Sequence, residues 1–239
     1  MLELRPDPAA LLRFAQAQGL NHSADEDMGY VIHAWLAAMF GPLAPKPFRF
    51  LQDRRLRQPP RLLGYVRVPG EQLADHAAAF APPLAVAVCG LDQLSQIKPM
   101  PAHWEPGRRL GYELLACPIS RQDDKEKDVF LRRLDRQPPG SPPLQREAVY
   151  SEWLQRQFGA AARVEQMRLE GFRLIRMLRR SSRQELHSTR PQARIDRPQA
   201  LMRGILRIGD AAQFQMLLQR GIGRHRTFGY GMLLLRPPL

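Results

Sequence analysis

The stretch GIGRHRTFGYG, residues 221–231, places four glycines around an Arg-His-Arg triplet and one phenylalanine. It lies between DAAQFQMLLQRG (210–221), which has helical apolar spacing, and the strand-like YGMLLLRPP (230–238). Glycine lets a backbone approach a ligand closely and leaves N–H groups accessible. Nucleotide-binding glycine loops run from strand to helix, so the order here excludes a Rossmann or P-loop site. Two interpretations stay open: a cradle for nucleic-acid phosphates, or a plain turn.

The charge of the whole chain favours the first interpretation. Lys and Arg outnumber Asp and Glu by 36 to 23, for a net charge of +13 over 239 residues. Nearly all of the positive charge is arginine, whose planar fork suits phosphates and base stacking better than lysine does. A GC-rich genome would also raise the arginine content. The predicted partner is a nucleic acid, with a membrane surface as the second candidate.

Several classes of protein are excluded by residues that the sequence lacks. Two cysteines, Cys89 and Cys117, are too few for a disulfide framework or a zinc site. No His/Asp/Glu group has metal-ligand spacing and no Ser or Cys nucleophile motif occurs, so neither a metal nor a cofactor is expected. The N-terminus does not look like a signal peptide, and the longest apolar stretch, FAPPLAVAVCGL (80–91), is too short to span a membrane. We therefore expect a cytoplasmic protein.

Apolar periodicity predicts an α+β protein. The first half reads as strand, helix, strand, strand, helix, strand, with two consecutive helices in the first helical position. This is the order of a ferredoxin-like unit. Its elements are a strand at 2–5, helices at 8–18 and 23–41, strands at 46–52 and 61–68, a helix at 70–81 and a strand at 108–119. The second half repeats the scheme less clearly, because the period of 163–187 is ambiguous. The prediction is two tandem ferredoxin-like (RRM-like) domains, residues 1–118 and 119–239.

Written as G-h-G-x-x-x-x-x-G-h-G, with h apolar or aromatic, residues 221–231 match a known pattern at every position. The pattern resembles the C-terminal glycine-rich loop of the CRISPR-associated repeat-processing endoribonucleases. Residues 149–239 are most similar to the CasE branch, the type I-E version, and the similarity over 25–118 is looser. About twenty residues separate the first strand from the next family-like helix, where the family has almost none. A related subtype, such as type IV, therefore stays open.

The segment YVIH (30–33) puts Tyr30 and His33 on one face of a predicted helix. A Tyr and a His on an apolar helix are usually core or interface residues. Here they are similar to the Tyr-x-x-His pair of the CasE branch, and the resemblance implies that His33 and Tyr30 are catalytic. His225 is the main rival; His22, His76, His103 and His187 lie in less suitable contexts.

Tyr30 and His33 carry functional groups that RNA cleavage requires. Cleavage of RNA by its own 2′-hydroxyl needs a proton acceptor, a proton donor for the leaving 5′ oxygen, and a cation beside the phosphate. Imidazole can take either proton role, a tyrosine hydroxyl can orient the 2′-oxygen, and guanidinium groups can stabilise the developing charge. Which proton role His33 takes stays open.

The resemblance also implies an RNA-binding surface made of the glycine-rich loop and of the arginine-rich segment 163–187, which corresponds to a basic hairpin in the family. An amphipathic element whose arginine stems cover the core is the alternative, and the segment could be helical. The expected RNA-binding residues are Gly221, Gly223, Arg224, His225, Arg226, Gly229, Gly231, Arg168, Arg173, Arg176, Arg179 and Arg180.

Taken together, the resemblance implies a metal-independent endoribonuclease that cleaves CRISPR precursor RNA at the base of the repeat hairpin. Its products would carry a 2′,3′-cyclic phosphate and a 5′-hydroxyl. The protein would stay on the mature crRNA and join the other subunits of a crRNA-guided surveillance complex. The alternative is a non-catalytic subunit that binds the crRNA hairpin, and a peripheral membrane protein is a third possibility.

Overall fold

The computed structural model describes residues 1–20, 28–52, 58–95, 97–123, 125–178 and 194–238. Its first half contains one antiparallel sheet of three strands with helices packed against it. The elements are β1 (Leu2–Leu4), α1 (Pro8–Ala17), α2 (Met28–Phe40), β2 (Phe48–Leu51), β3 (Arg61–Gly64), α3 (Gly70–Phe80) and α4 (Pro83–Val86). Along the sheet the order is β1, β3, β2.

Local signals in the sequence account for these helices. The Asp7 side chain accepts a hydrogen bond from the Ala10 N–H at 2.6 Å, so it caps α1, and Pro8 occupies the first turn. Helix α2 buries residues spaced as one face, including Trp35, whose indole N–H donates to the Ala85 carbonyl at 3.0 Å. Tyr30 and His33 lie on the half-buried remainder of this helix.

The second half contains a four-stranded antiparallel sheet in the order β7, β8, β4, β9, and a separate two-stranded hairpin of β5 and β6. Helices α6 and α7 bury their apolar faces on the larger sheet. The elements are β4 (Arg109–Ala116), β5 (Ile119–Gln122), β6 (Lys125–Asp128), α5 (Val129–Asp135), α6 (Arg146–Phe158), β7 (Ala162–Leu178), β8 (Arg194–Ile208), α7 (Ala211–Arg220) and β9 (Leu233–Arg236).

Strand β4 belongs to this second sheet, although the sequence prediction made it the last strand of the first unit. Its whole length pairs with β8, and its other edge pairs with β9. The reason is burial: Tyr112, Leu114 and Ala116 are fully buried in the core beneath α6 and α7. The predicted boundary near residue 119 would therefore separate β4 from the sheet in which it pairs.

The arginine-rich segment is a strand as far as the structure describes it. β7 and β8 pair from Ala162 to Leu178, well past the last pairing of β8 with β4 at Ala200. The two strands therefore extend beyond the sheet as a hairpin arm, and the helical alternative for this part of the chain is wrong. Residues 179–187 of the predicted basic segment lie outside the described residues.

The α+β class is therefore confirmed, with helices packed on antiparallel sheets. Within the described ranges, no helix has the length and apolar character that crossing a membrane requires.

Candidate functional site

Helix α2 and the glycine-rich loop meet, although 180 residues (41–220) separate them in the chain. The loop contributes Phe228, whose ring stacks on that of Tyr30 with centroids 6.0 Å apart and planes 21° apart. The His33 ring meets the same Phe228 edge-on at 5.4 Å, and Tyr30 and His33 are 6.5 Å apart. All three side chains are half-buried. The predicted Tyr/His pair and the predicted loop thus form one cluster of rings.

Backbone hydrogen bonds hold the loop in this position. The Ile222 N–H donates to the Gly231 carbonyl at 2.8 Å and closes the base of the loop, while the Gly231 N–H donates to the Leu115 carbonyl of β4 at 2.8 Å. A short 3-10 helix, Arg226–Phe228, then presents Phe228, whose N–H donates to the His225 carbonyl at 2.9 Å. The loop is therefore a folded element anchored to the central sheet.

The glycines of the loop face the protein as well as its surface. A Cβ at Gly223 would lie 3.0 Å from the Trp153 ring, and one at Gly229 would lie 3.2 Å from the Phe48 ring. From the sequence, the predicted role of these glycines is to let RNA approach the backbone. The packing adds a second requirement, because both glycines let the loop rest on aromatic rings beneath it.

Glu126 of β6 contacts two members of the loop's basic triplet, Arg224 and His225. Its carboxylate accepts from the Arg224 guanidinium at 2.7 Å and from the Arg197 guanidinium of β8 at 2.7 Å, and His225 Nε2 lies 3.3 Å away. These cations lower the pKa of Glu126 against the opposing effect of its burial. The pKa of His225 is lowered because burial outweighs the attraction of Glu126.

The pKa of His33 is also lowered from its ordinary value of 6.5, first by burial and then by the positive charge of Lys46. Lys46 lies in the connection between α2 and β2, and the following residue, Pro47, lies 3.0 Å from where a Cβ on Gly221 would be. This connection therefore brings a cation to the ring cluster. An imidazole that is neutral near pH 7 is suited to accept a proton.

A cleft of about 970 Å³ runs between the two halves of the chain; of the three rings in the cluster, Phe228 lines it and Tyr30 and His33 do not. Phe228, Gly229 and Tyr230 of the loop line one end of it. β2 forms one wall, and the hairpin of β7 and β8 forms the other. Among the described residues that line it, the arginines are Arg49, Arg61 and Arg173, which would attract a polyanion.

Not every predicted RNA-binding residue reaches this cleft. Arg173 lines it, whereas Arg168 lies exposed opposite Arg203 on β8, and Arg176 pairs with Asp196 at 3.8 Å. Of the predicted loop residues, Gly229 lines the cleft and His225 contacts Phe228 with ring centroids 6.1 Å apart. Gly223 and Arg224 line a different groove, and Arg226 donates to the Arg220 carbonyl at 2.7 Å. Gly221 and Gly231 lie at the base of the loop. Arg179, Arg180, His22 and His187 lie outside the described residues.

Sequence reasoning missed Phe228, Lys46, Glu126 and Arg49. Only Phe228 carried a signal, because it is the single aromatic residue between the paired glycines of the loop. Lys46 and Glu126 become relevant only through packing, since each lies on an element that no motif marks. Across the part of the chain that the structure describes, no three His, Cys, Asp or Glu side chains are grouped so as to hold a metal ion.

The fold is shared with solved structures of CRISPR proteins. The structure of the CRISPR endoribonuclease Cse3 bound to a 19 nt RNA matches with a TM-score of 0.62 at 19% identity, covering 98% of both chains. Cse3 of Thermus thermophilus, bound to an RNA that represents a pre-cleavage complex, matches with a TM-score of 0.54 at 19% identity, over 98% of this chain and 97% of that one. Cas6e of Escherichia coli K-12 matches with a TM-score of 0.53 at 22% identity, over 91% and 95%.

No curated protein sequence matches the chain. A protein-family model described as CRISPR associated protein matches residues 3–237, almost the whole sequence. The resemblance predicted from the glycine-rich loop and the YVIH segment is thereby confirmed at the level of the family. The chain belongs to the family of CRISPR-associated proteins.

Proposed function

We propose that the protein is an endoribonuclease that cleaves CRISPR precursor RNA at the base of the repeat hairpin, without a metal ion, and then stays bound to the crRNA. The observation that carries this proposal is the packing of Tyr30 and His33 on Phe228 of the loop, a ring that also contacts His225 and lines the basic cleft. An imidazole and a phenol thus lie against a ring that lines a groove with arginines along it.

In this mechanism His33 accepts the proton of the 2′-hydroxyl that attacks the adjacent phosphorus. The bond from phosphorus to the 5′ oxygen breaks, that oxygen takes up a proton from water, and the products carry a 2′,3′-cyclic phosphate and a 5′-hydroxyl. Tyr30 orients the ribose, and Lys46 supplies the cation beside the phosphate. The choice of His33 as acceptor rests on its half-buried position and lowered pKa, which keep the imidazole neutral near pH 7.

The proposed partners follow from family membership. The Cse3 structures hold RNA, which supports a repeat RNA hairpin as the ligand of this chain. We also propose that the protein and its crRNA join the other subunits of a surveillance complex in the cytoplasm. The hairpin arm of β7 and β8, with Arg168, Arg173 and Arg176 on it, is the element that we assign to the RNA stem.

We further propose that the chain consists of two ferredoxin-like units in tandem. In the second sheet, strands β4, β7, β8 and β9 are joined through α6 and α7 in the order strand, helix, strand, strand, helix, strand. The last strand lies beside the first, and the third lies between the first and the second, as in a ferredoxin-like sheet. The first sheet has the same arrangement of its three strands, β1, β3 and β2.

The proposal is tested by incubating the protein with the repeat RNA of its own locus in EDTA. We expect one cut at the base of the hairpin and products with the ends given above. A repeat RNA with a 2′-deoxyribose at the cut position is the matched control, and it should bind but stay intact. If the unmodified RNA is bound and never cut, the alternative of a non-catalytic crRNA-hairpin-binding subunit replaces this one.

The pH dependence tests the assignment of His33 as the acceptor. Because its pKa lies below 6.5 in the folded protein, the imidazole is already neutral at pH values where free histidine is half protonated. The value of kcat/KM should therefore rise with pH through an apparent pKa below 6.5 and stay level above it. A rate that falls as the pH rises through this value would make His33 the proton donor instead.

A further inference from the structure

Outside the cleft, six arginines line a second groove, of about 760 Å³, between β5, α5 and α6. They come from four separate elements: the β5 strand, helix α5 with its C-terminal cap, helix α6, and the glycine-rich loop. We name them together the arginine groove: Arg121, Arg132, Arg133, Arg136, Arg156 and Arg224. The mechanism proposed above involves the glycine-rich loop, which carries Arg224, and it uses none of the other five arginines.

The positive charge of this groove is poorly compensated. Among the described residues that line it, Glu152 is the one carboxylate, and it is shared by Arg133 at 3.6 Å and Arg156 at 3.8 Å. Arg224 is paired with Glu126, which does not line the groove, at 2.7 Å. Both pairs are more than half exposed, so water weakens them. Gathering like charges costs free energy, and a bound polyanion would offset that cost.

Neutral acceptors orient part of the groove without cancelling its charge. Arg132 and Arg136 both donate to Oε1 of Gln122 at 3.0 Å, and Arg132 also donates to the Lys125 carbonyl at 2.7 Å. A guanidinium held in this way keeps its full charge and loses less rotamer entropy when it meets an anion. Arg132 and Arg136 are therefore already oriented when no anion is bound.

The ligand is a nucleic acid backbone rather than an acidic protein. The apolar side chains that line the groove, Ile119, Val129, Val149 and Trp153, are all buried at 8% exposure or less. A protein partner would need an accessible apolar anchor, which these residues do not offer. With no exposed ring for stacking bases among them, contacts would be to phosphates and independent of base sequence.

The groove is continuous with the loop that forms the candidate site. Gly223 and Arg224 line the arginine groove, while Phe228 and Gly229 line the cleft, so the loop forms the wall between the two. We propose that an RNA bound at Tyr30 and His33 passes over the glycine-rich loop and that its next backbone phosphates are held in the arginine groove. This inference rests on the proposed function in taking RNA to be the ligand and Tyr30 and His33 to be where it binds.

The test is the salt dependence of RNA binding by an Arg136→Gln/Arg156→Gln double variant. Both side chains are exposed, and neither is assigned to the cleft or the Tyr/His pair. The matched control is Arg13→Gln/Arg67→Gln, which removes the same charge from exposed positions that line neither groove. Two labelled RNAs serve as probes: the repeat hairpin with single-stranded tails, and an unrelated single strand of equal length.

We expect the groove variant to lower the slope of log affinity against log salt by about 1 to 2 units with both probes, because each lost phosphate contact is worth about 0.7 to 0.9. The control pair should keep the wild-type slope. Equal slopes for groove and control variants would overturn the inference, and so would polyglutamate competing as strongly as RNA of equal charge. A slope change seen in a protein that never cuts its repeat would support the groove while refuting the nuclease.

Discussion

Replacing His33 with alanine should abolish cleavage of the repeat RNA and leave its binding nearly intact. The imidazole is assigned to proton transfer, a contribution of roughly 10²- to 10⁴-fold to the rate. It packs edge-on against Phe228 and is not assigned to holding phosphates, so its loss removes little binding energy. The measurement is the single-turnover rate constant at saturating protein, with the dissociation constant determined on a 2′-deoxy repeat that cannot be cut.

Two further variants separate catalysis from binding and from packing. Tyr30→Phe keeps the ring that stacks on Phe228 and removes only the hydroxyl, so we expect a milder loss of rate. His225→Ala should chiefly weaken RNA binding, since His225 shares Glu126 with Arg224 and Arg197. If His33→Ala cuts at the normal rate while His225→Ala is inactive, the catalytic histidine lies in the glycine-rich loop and the assignment made here is wrong.

Gly231→Ala should have the largest effect on stability among the loop substitutions. Gly231 has a φ of +80°, and an added Cβ would lie 2.2 Å from the Ile222 carbonyl oxygen. That oxygen is backbone, and the same two residues close the loop through a hydrogen bond, so no flexible side chain can move to relieve the contact. Strain at positive φ costs about 1–2 kcal/mol and overpacking about 1–3 kcal/mol, so unfolding by denaturant should show a loss of about 2 to 5 kcal/mol.

Gly140→Ala is the matched control, because Gly140 has the same φ of +80° and no atom within 4 Å of an added Cβ. It should lose only the cost of the backbone conformation, about 1–2 kcal/mol. The difference between the two variants isolates the contact at the base of the loop. RNA affinity should fall for Gly231→Ala and stay unchanged for Gly140→Ala. Equal losses of stability would show that the contact is relieved and that the loop tolerates the side chain.

The sequence predicted most helices and strands of the first half correctly, but it did not predict how the strands pair. Helices α1, α2 and α3 and strands β2 and β3 lie where periodicity and capping predict them, because those signals are local. Strand β4 was recognised as a strand and assigned to the wrong sheet, since its apolar pattern shows that it is buried and not which partner buries it. The hairpin of β5 and β6 is short, charged and without a period, and it escaped prediction.

The residues of the candidate site were likewise only partly predictable from the sequence. Tyr30 and His33 share a helix face by spacing alone, and the glycine pattern at 221–231 marks the loop, so both were found without coordinates. Phe228 needed the structure, because its role is the contact of its ring with two rings from the other end of the chain. Glu126 and Lys46 needed it too, since what they do depends on which charges the fold brings beside them.

By itself, the sequence determined the basic, arginine-rich character of this protein, its α+β class, its family, and the two segments that carry the candidate chemistry. These properties depend on residue type and on spacing over a few turns, which the chain displays directly. Only the tertiary structure decided that the two segments share one cluster of rings, that β4 completes the second sheet, and that six arginines from separate elements surround one groove. Contacts between residues far apart in the chain are set by which buried surfaces fit together, and no local pattern records that choice.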